Sequence, residues 1–114
     1  MAFDPEGFLN LAREILSGDP SEAGLRTAIS RSYYAVHHKA ADTLAADALF
    51  TRTYSGVDHE MVIELLRGRR GPEGDRVDTL RKLRNRADYR IDVNIEEKDA
   101  RYAFSLATAV WPKI

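Results

Sequence analysis

The chain has 114 residues, 44% hydrophobic and 31% charged, with a net charge of −1 and no cysteine, which fits one globular domain over residues 1–114, large enough to bury a core. Without cysteine there is no disulfide, thiolate metal site or cysteine nucleophile. No apolar run approaches the roughly 20 residues of a membrane span, and the start MAFDPEGFL lacks the basic and apolar stretches of a signal peptide, so a cytoplasmic protein without a membrane partner is expected.

The elements all read as helix. Asp4 caps a first helix with Pro5 at its first position, and Phe8, Leu11, Ile15 and Leu16 follow at helical spacing until Gly18 and Asp19-Pro20 end it. Ser21 caps a second helix reaching about residue 46, with Leu25, Ala28, Ile29, Ser32, Val36, Ala40, Thr43 and Leu44 in its apolar line. Residues 47–56 form the longest loop. A third helix spans about 57–68 with Val57, Met61, Leu65 and Leu66 inward. GRRGPEG (68–74) reads as a breaker, and Asp75 opens a fourth helix with Val77, Leu80, Leu83, Ala87 and Ile91 on one side. Asp92-Val93-Asn94 ends it, and a last helix, about 95–111, buries Tyr102, Ala103, Leu106 and Val110. No segment alternates as a strand would. The expected fold is an all-α, four- to five-helix up-and-down antiparallel bundle, with Val36, Leu80, Leu83, Ala87 and Leu106 in the core. The small residues of the long helix permit close approach, and with Tyr33 and Tyr34 they offer a surface for a two-fold dimer.

Two constellations carry polar chemistry. In the second helix Arg31, Tyr34, His38 and Asp42 share a face, with Tyr33 and His37 on the neighbouring stripe. Adjacent histidines point about 100° apart, so one helix cannot chelate a metal with both, and no HxxxH or ExxH pairing is present. In the fourth helix Arg84 and Asp88, and beside them Asn85 and Tyr89, stand four apart and can pair. Arg67 to Arg90 holds nine Lys or Arg and four acids, a local charge of +5 that leaves −6 for the remainder. Such a segment can attract phosphates through residues such as Arg81, Arg84 and Arg86; the plain alternative is a solvated helix face. No Walker loop, GxGxxG, carboxylate dyad or Ser–His–Asp set occurs, and no cofactor is called for.

Ser30-Arg31-Ser32-Tyr33-Tyr34-Ala35-Val36-His37-His38 in the second helix and Leu83-Arg84-Asn85-Arg86-Ala87-Asp88-Tyr89 in the fourth resemble the HEPN domain family, in its small prokaryotic branch with signatures S-R-x-Y-Y-A-x-x-H and R-x-x-A-D-Y. The resemblance covers nearly the whole chain. It implies a bundle that dimerises, with members acting as metal-independent ribonucleases through an Arg-polar-x-x-x-His motif near the dimer seam. Several pair with a small nucleotidyltransferase as toxin and antitoxin, and others are non-catalytic binding modules. By the resemblance, Arg84 and Asn85 match the motif's arginine and polar positions, but the histidine position is Tyr89, a poor general base at neutral pH. Arg31 and His37 satisfy a loose Arg-x5-His spacing on the wrong helix. The expected function is therefore that of a weakly catalytic or non-catalytic HEPN protein that binds RNA, a nucleotide or a nucleotidyltransferase partner. The expected polar cluster is Arg31, Tyr34, His37, His38, Arg81, Arg86 and Asp88. One alternative is a ribonuclease toxin using Arg84 with His37 or His38 as base; another is a pure interaction module.

Overall fold

The computed structural model describes residues 2–114. Five helices follow one another: α1 (Glu6–Ser17), α2 (Glu22–Ala46), α3 (Val57–Arg69), α4 (Gly71–Tyr89) and α5 (Glu97–Val110), closed by a 3-10 turn at Trp111–Lys113. Among the described residues there is no strand, so the fold is an all-α bundle.

The capped starts expected for the first two helices are present. The Glu6 N–H donates to Asp4 Oδ1 at 2.9 Å, and Pro5 already has helical angles. The Gly24 N–H donates to Ser21 Oγ at 3.2 Å. Helix α2 is the axis of the molecule, since it packs against all four other helices. It therefore buries residues around most of its circumference rather than along one stripe, including Ile29, Tyr33, Val36, Ala40 and Leu44. Its small residues Ala28, Ala35, Ala40 and Ala41 are fully covered within the chain, so they serve internal helix approach and offer no surface to a second copy. The same holds for Tyr33.

The breaker expected at 68–74 is not a loop. Only Arg70 separates α3 from α4, and α4 begins at Gly71 rather than at Asp75. Pro72 sits in the first turn, where a missing N–H leaves no bond unmade. Gly74 is buried against α3: a Cβ there would lie 2.7 Å from the Arg67 backbone nitrogen. The glycine is a packing device, and its use is invisible to a rule that reads Gly as punctuation.

Several faces are also shifted. In α3 Val62, Ile63 and Leu66 are buried, while Val57 and Met61 are exposed. Leu11, Ile91 and Tyr102 are likewise exposed; Ile91 lies beyond the end of α4. Val36, Leu80 and Ala87 are buried as expected, whereas Leu83 and Leu106 are only half-buried at the edge of the core. The last helix starts at Glu97, behind a capping box in which the Glu96 N–H donates to Asp99 Oδ2 at 2.9 Å.

Candidate functional site

Helices α2 and α4 lie side by side and bring the two sequence signatures together. Arg84 is the centre of their seam. It is only 5% exposed, and its Cζ stands 5.3 Å from the ring centroids of both Tyr33 and Tyr34 and 5.6 Å from that of Tyr89. Its Nη1 reaches the Tyr89 hydroxyl at 3.4 Å. Among the described residues it forms no ion pair, and its Nε has no hydrogen-bond partner. Arg81, one turn back, also has an unpartnered buried Nε. Arg31 extends the arrangement on α2: its Cζ lies 4.8 Å from the Phe8 ring and 5.0 Å from the Tyr34 ring, and it donates to Ser30 Oγ at 3.1 Å. Arg31 and Arg84 are thus held by aromatic faces, and among the described residues neither they nor Arg81 has a carboxylate partner.

The histidines lie on the other side of Tyr34. His37 is buried and its ring stacks on His59 at 4.4 Å between centroids, with Tyr33 stacked beside it at 5.6 Å. His38 stacks on Tyr34 at 5.8 Å. The Tyr33 hydroxyl and His59 Nδ1 share a short hydrogen bond. Burial holds the Tyr33 hydroxyl protonated, and it satisfies this bond by donating, which leaves the His59 ring proton on Nε2. Burial, with the neighbouring histidines and Arg52, brings the His37 pKa down to about 3. Burial with Arg84 and Arg81 brings His59 to about 4, and burial with Arg52 lowers His38. All three rings are therefore neutral at pH 7.

A cleft of about 310 Å³ opens over these rings, bordered by Tyr34, His37, His38, His59, Arg52 and Tyr54. Arg52 donates to Asp42 Oδ1 at 2.7 Å and to the His38 carbonyl at 3.3 Å. Asp58, buried at the start of α3, accepts from the Thr53 hydroxyl and from the Thr53 and Tyr54 N–H groups. Those bonds, the Thr53 hydroxyl first, hold its pKa down.

The sequence expectations fare unequally. Arg31, Tyr34, His38 and Asp42 do line one face, and Arg81, Arg84, Tyr34 and His37 meet in one cluster. The expected Arg84–Asp88 pair does not form; Asp88 instead accepts from Ser30 Oγ at 3.2 Å, because Arg84 turns in toward the tyrosines. The Asn85–Tyr89 pair does not form either. Asn85 and Arg86 are exposed, with no side-chain hydrogen bond or ion pair among the described residues. Of the nine cations from 67 to 90, Arg67, Arg69, Arg76, Lys82 and Arg90 are in ion pairs. The +5 segment is thus no continuous grip: its unneutralised charge is Arg70, Arg81, Arg84 and Arg86. His59, Arg52, Tyr54 and Asp58 escaped the sequence reading. A signal for His59 existed, since it is the third of only three histidines in the chain; the loop residues carried none.

Among the described residues no group of three or more His, Asp or Glu could hold a metal ion, and no helix is long and apolar enough to cross a membrane. Compared with known proteins, the chain matches no family model, and no curated protein or solved structure matches it.

Proposed function

We propose that this is a HEPN-type protein that binds the phosphate of RNA or of a nucleotide at the Arg84 seam and cleaves it weakly or not at all. One observation carries the reading: Arg84 is buried, charged, and without a carboxylate. Buried guanidiniums are normally paired, because stripping water from an uncompensated charge is costly. An arginine fork with donors left over is suited to a phosphate oxygen. Arg31 and Arg81 add charge nearby, and the exposed ring of Tyr89 supplies a face on which a base can stack.

The same side chains argue against brisk chemistry. Metal-free RNA cleavage needs a base for the 2′-hydroxyl and a cation for the transition state. Arg84 meets the second need. Tyr89, in the place of the family's histidine, is a weak base, and imidazoles with pKa values near 3 and 4 lie far below the operating pH that suits a general base. The ribonuclease alternative keeps one favouring observation, the three histidines clustered across Tyr34 from Arg84. Dimerisation and a nucleotidyltransferase partner rest on the resemblance alone, since Tyr33 and the small residues of α2 are used inside the chain.

Incubation of the protein with a mixed RNA pool in chelator tests the catalytic half. The expected result is RNA retained but intact. Rapid cutting that His37→Ala or His38→Ala abolishes would overturn it and move the chemistry to the long helix.

A further inference from the structure

His59 reaches the arginines of α4 through Tyr33. It stands in the first turn of α3, where its ring stacks on that of Tyr33 at 5.6 Å between centroids and meets the Tyr34 ring edge-on at 5.9 Å. Its Nδ1 accepts from the Tyr33 hydroxyl, and the same Tyr33 ring lies 5.3 Å from the Arg84 Cζ. One fully buried tyrosine thus separates an imidazole from a guanidinium that has no carboxylate partner.

The surroundings of His59 are unfavourable to a second cation. Arg81 and Arg84 act on it from α4, His37 and His38 from α2, and Asp58 from its own helix, while Arg52 borders the same cleft from the loop. The acids within reach are already engaged. Asp58 accepts from the Thr53 hydroxyl and from the Thr53 and Tyr54 N–H groups, Asp42 pairs with Arg52, and Asp78, whose field reaches Tyr33, pairs with Arg67 and Lys82. A proton on His59 therefore enters the field of two uncompensated guanidiniums in a site largely closed to water, where charges interact far more strongly than in solution. Burial first, and then this field, keep the ring neutral, with a pKa of about 4. An anion on Arg84 cancels the field and leaves the burial.

We propose that the Arg84 seam is proton-linked: a phosphate group bound there draws a proton onto His59, so that affinity rises as pH falls. This rests on the phosphate-binding reading of Arg84 and deepens it by naming how that site is regulated. The incoming proton takes Nδ1, whereupon the bond to Tyr33 reverses and the phenolic oxygen becomes the acceptor. Linkage is reciprocal: a bound anion that favours the protonated ring is favoured by it to the same degree. The ring is neutral at pH 7 with or without the anion, so the link operates only on the acid side. Its sign is opposite to that of folding, because in the free protein the same proton meets both burial and the arginines.

Isothermal titration with a short oligouridylate, whose phosphodiesters and bases keep their charge from about pH 5 to about pH 7.5, tests the link in two buffers of different ionisation enthalpy. The native protein should bind about threefold or more tighter at the lower pH, with net proton uptake there and none at the higher. His59→Asn, whose side-chain oxygen can accept from Tyr33 but does not titrate, should lose most of that gain; His59→Gln serves as a second such variant, and far-UV circular dichroism at both pH values checks each fold. Affinity equal at the two pH values, binding at the lower pH without proton uptake, or a gain that survives in a folded variant overturns the link and leaves the Arg84 reading standing. No binding by the native protein at either pH overturns both.

Discussion

Arg84 carries an uncompensated charge in a place where an apolar side chain of the same length would fit. Replacing such a buried charge by a hydrophobic isostere is often neutral or stabilising. Arg84→Met should therefore change unfolding free energy by no more than about 1 kcal/mol while losing phosphate binding. A loss of several kcal/mol in urea unfolding would make Arg84 a structural strut. His37 gives a second test. The unfolded chain protonates this ring near pH 6.5, whereas the folded chain resists until about pH 3. Between those values the unfolded state holds the extra proton, so stability is full above pH 6.5 and falls as pH drops, with a slope of up to about 1.4 kcal/mol per unit. His59, lowered to about 4, acts in the same direction. The urea midpoint should fall from pH 7.5 to pH 5, and His37→Phe should flatten that fall while keeping the ring stack. A midpoint flat with pH in the native chain would contradict the burial argued for these rings. Arg84 and the histidines of α2 were legible in the sequence because their types and spacing are local. That Arg84 turns to the tyrosines instead of to Asp88 was not, because both partners stand within its reach and only tertiary packing chooses.

At the scale of elements, the junction of α3 and α4 is the most instructive. An exposed helical glycine replaced by alanine gains up to about 1 kcal/mol. Gly74→Ala should instead lose roughly 1–3 kcal/mol, because the methyl would meet Arg67 backbone. Stabilisation measured in denaturant would show that the two helices separate freely. Within α4, Leu80 is fully buried and Leu83 half-buried, so Leu80→Ala should cost about 2–5 kcal/mol and Leu83→Ala clearly less. Helical periodicity revealed that both face inward. It could not reveal which lies at the centre, since that depends on where α2 crosses. For the same reason the inward face of α3 is only partly legible: Leu66 is buried as its spacing predicts, but Val57 and Met61 are exposed and the short helix presents Val62 and Ile63 to the core instead.

In the whole molecule, a helix wrapped by four others brings three histidines, three unpaired arginines and a ring of tyrosines to one end of the α2–α4 seam. The bundle was legible from periodicity and breakers. The cleft was not, because it depends on a loop, residues 47–56, whose conformation is fixed by Asp58 in the following helix. The central claim is that Arg84 has no carboxylate partner among the described residues because it meets a phosphate. Binding of labelled single-stranded RNA to the native protein and to Arg84→Met, each at about 50 and about 200 mM salt, tests it most directly. The native protein should bind at low salt and weaken steeply as salt rises. Arg84→Met should bind about tenfold or more weakly with a shallower salt slope, with a melting temperature moved by no more than roughly 4–8 °C. Equal affinity for the two proteins, or no binding by the native chain at low salt, would contradict the account.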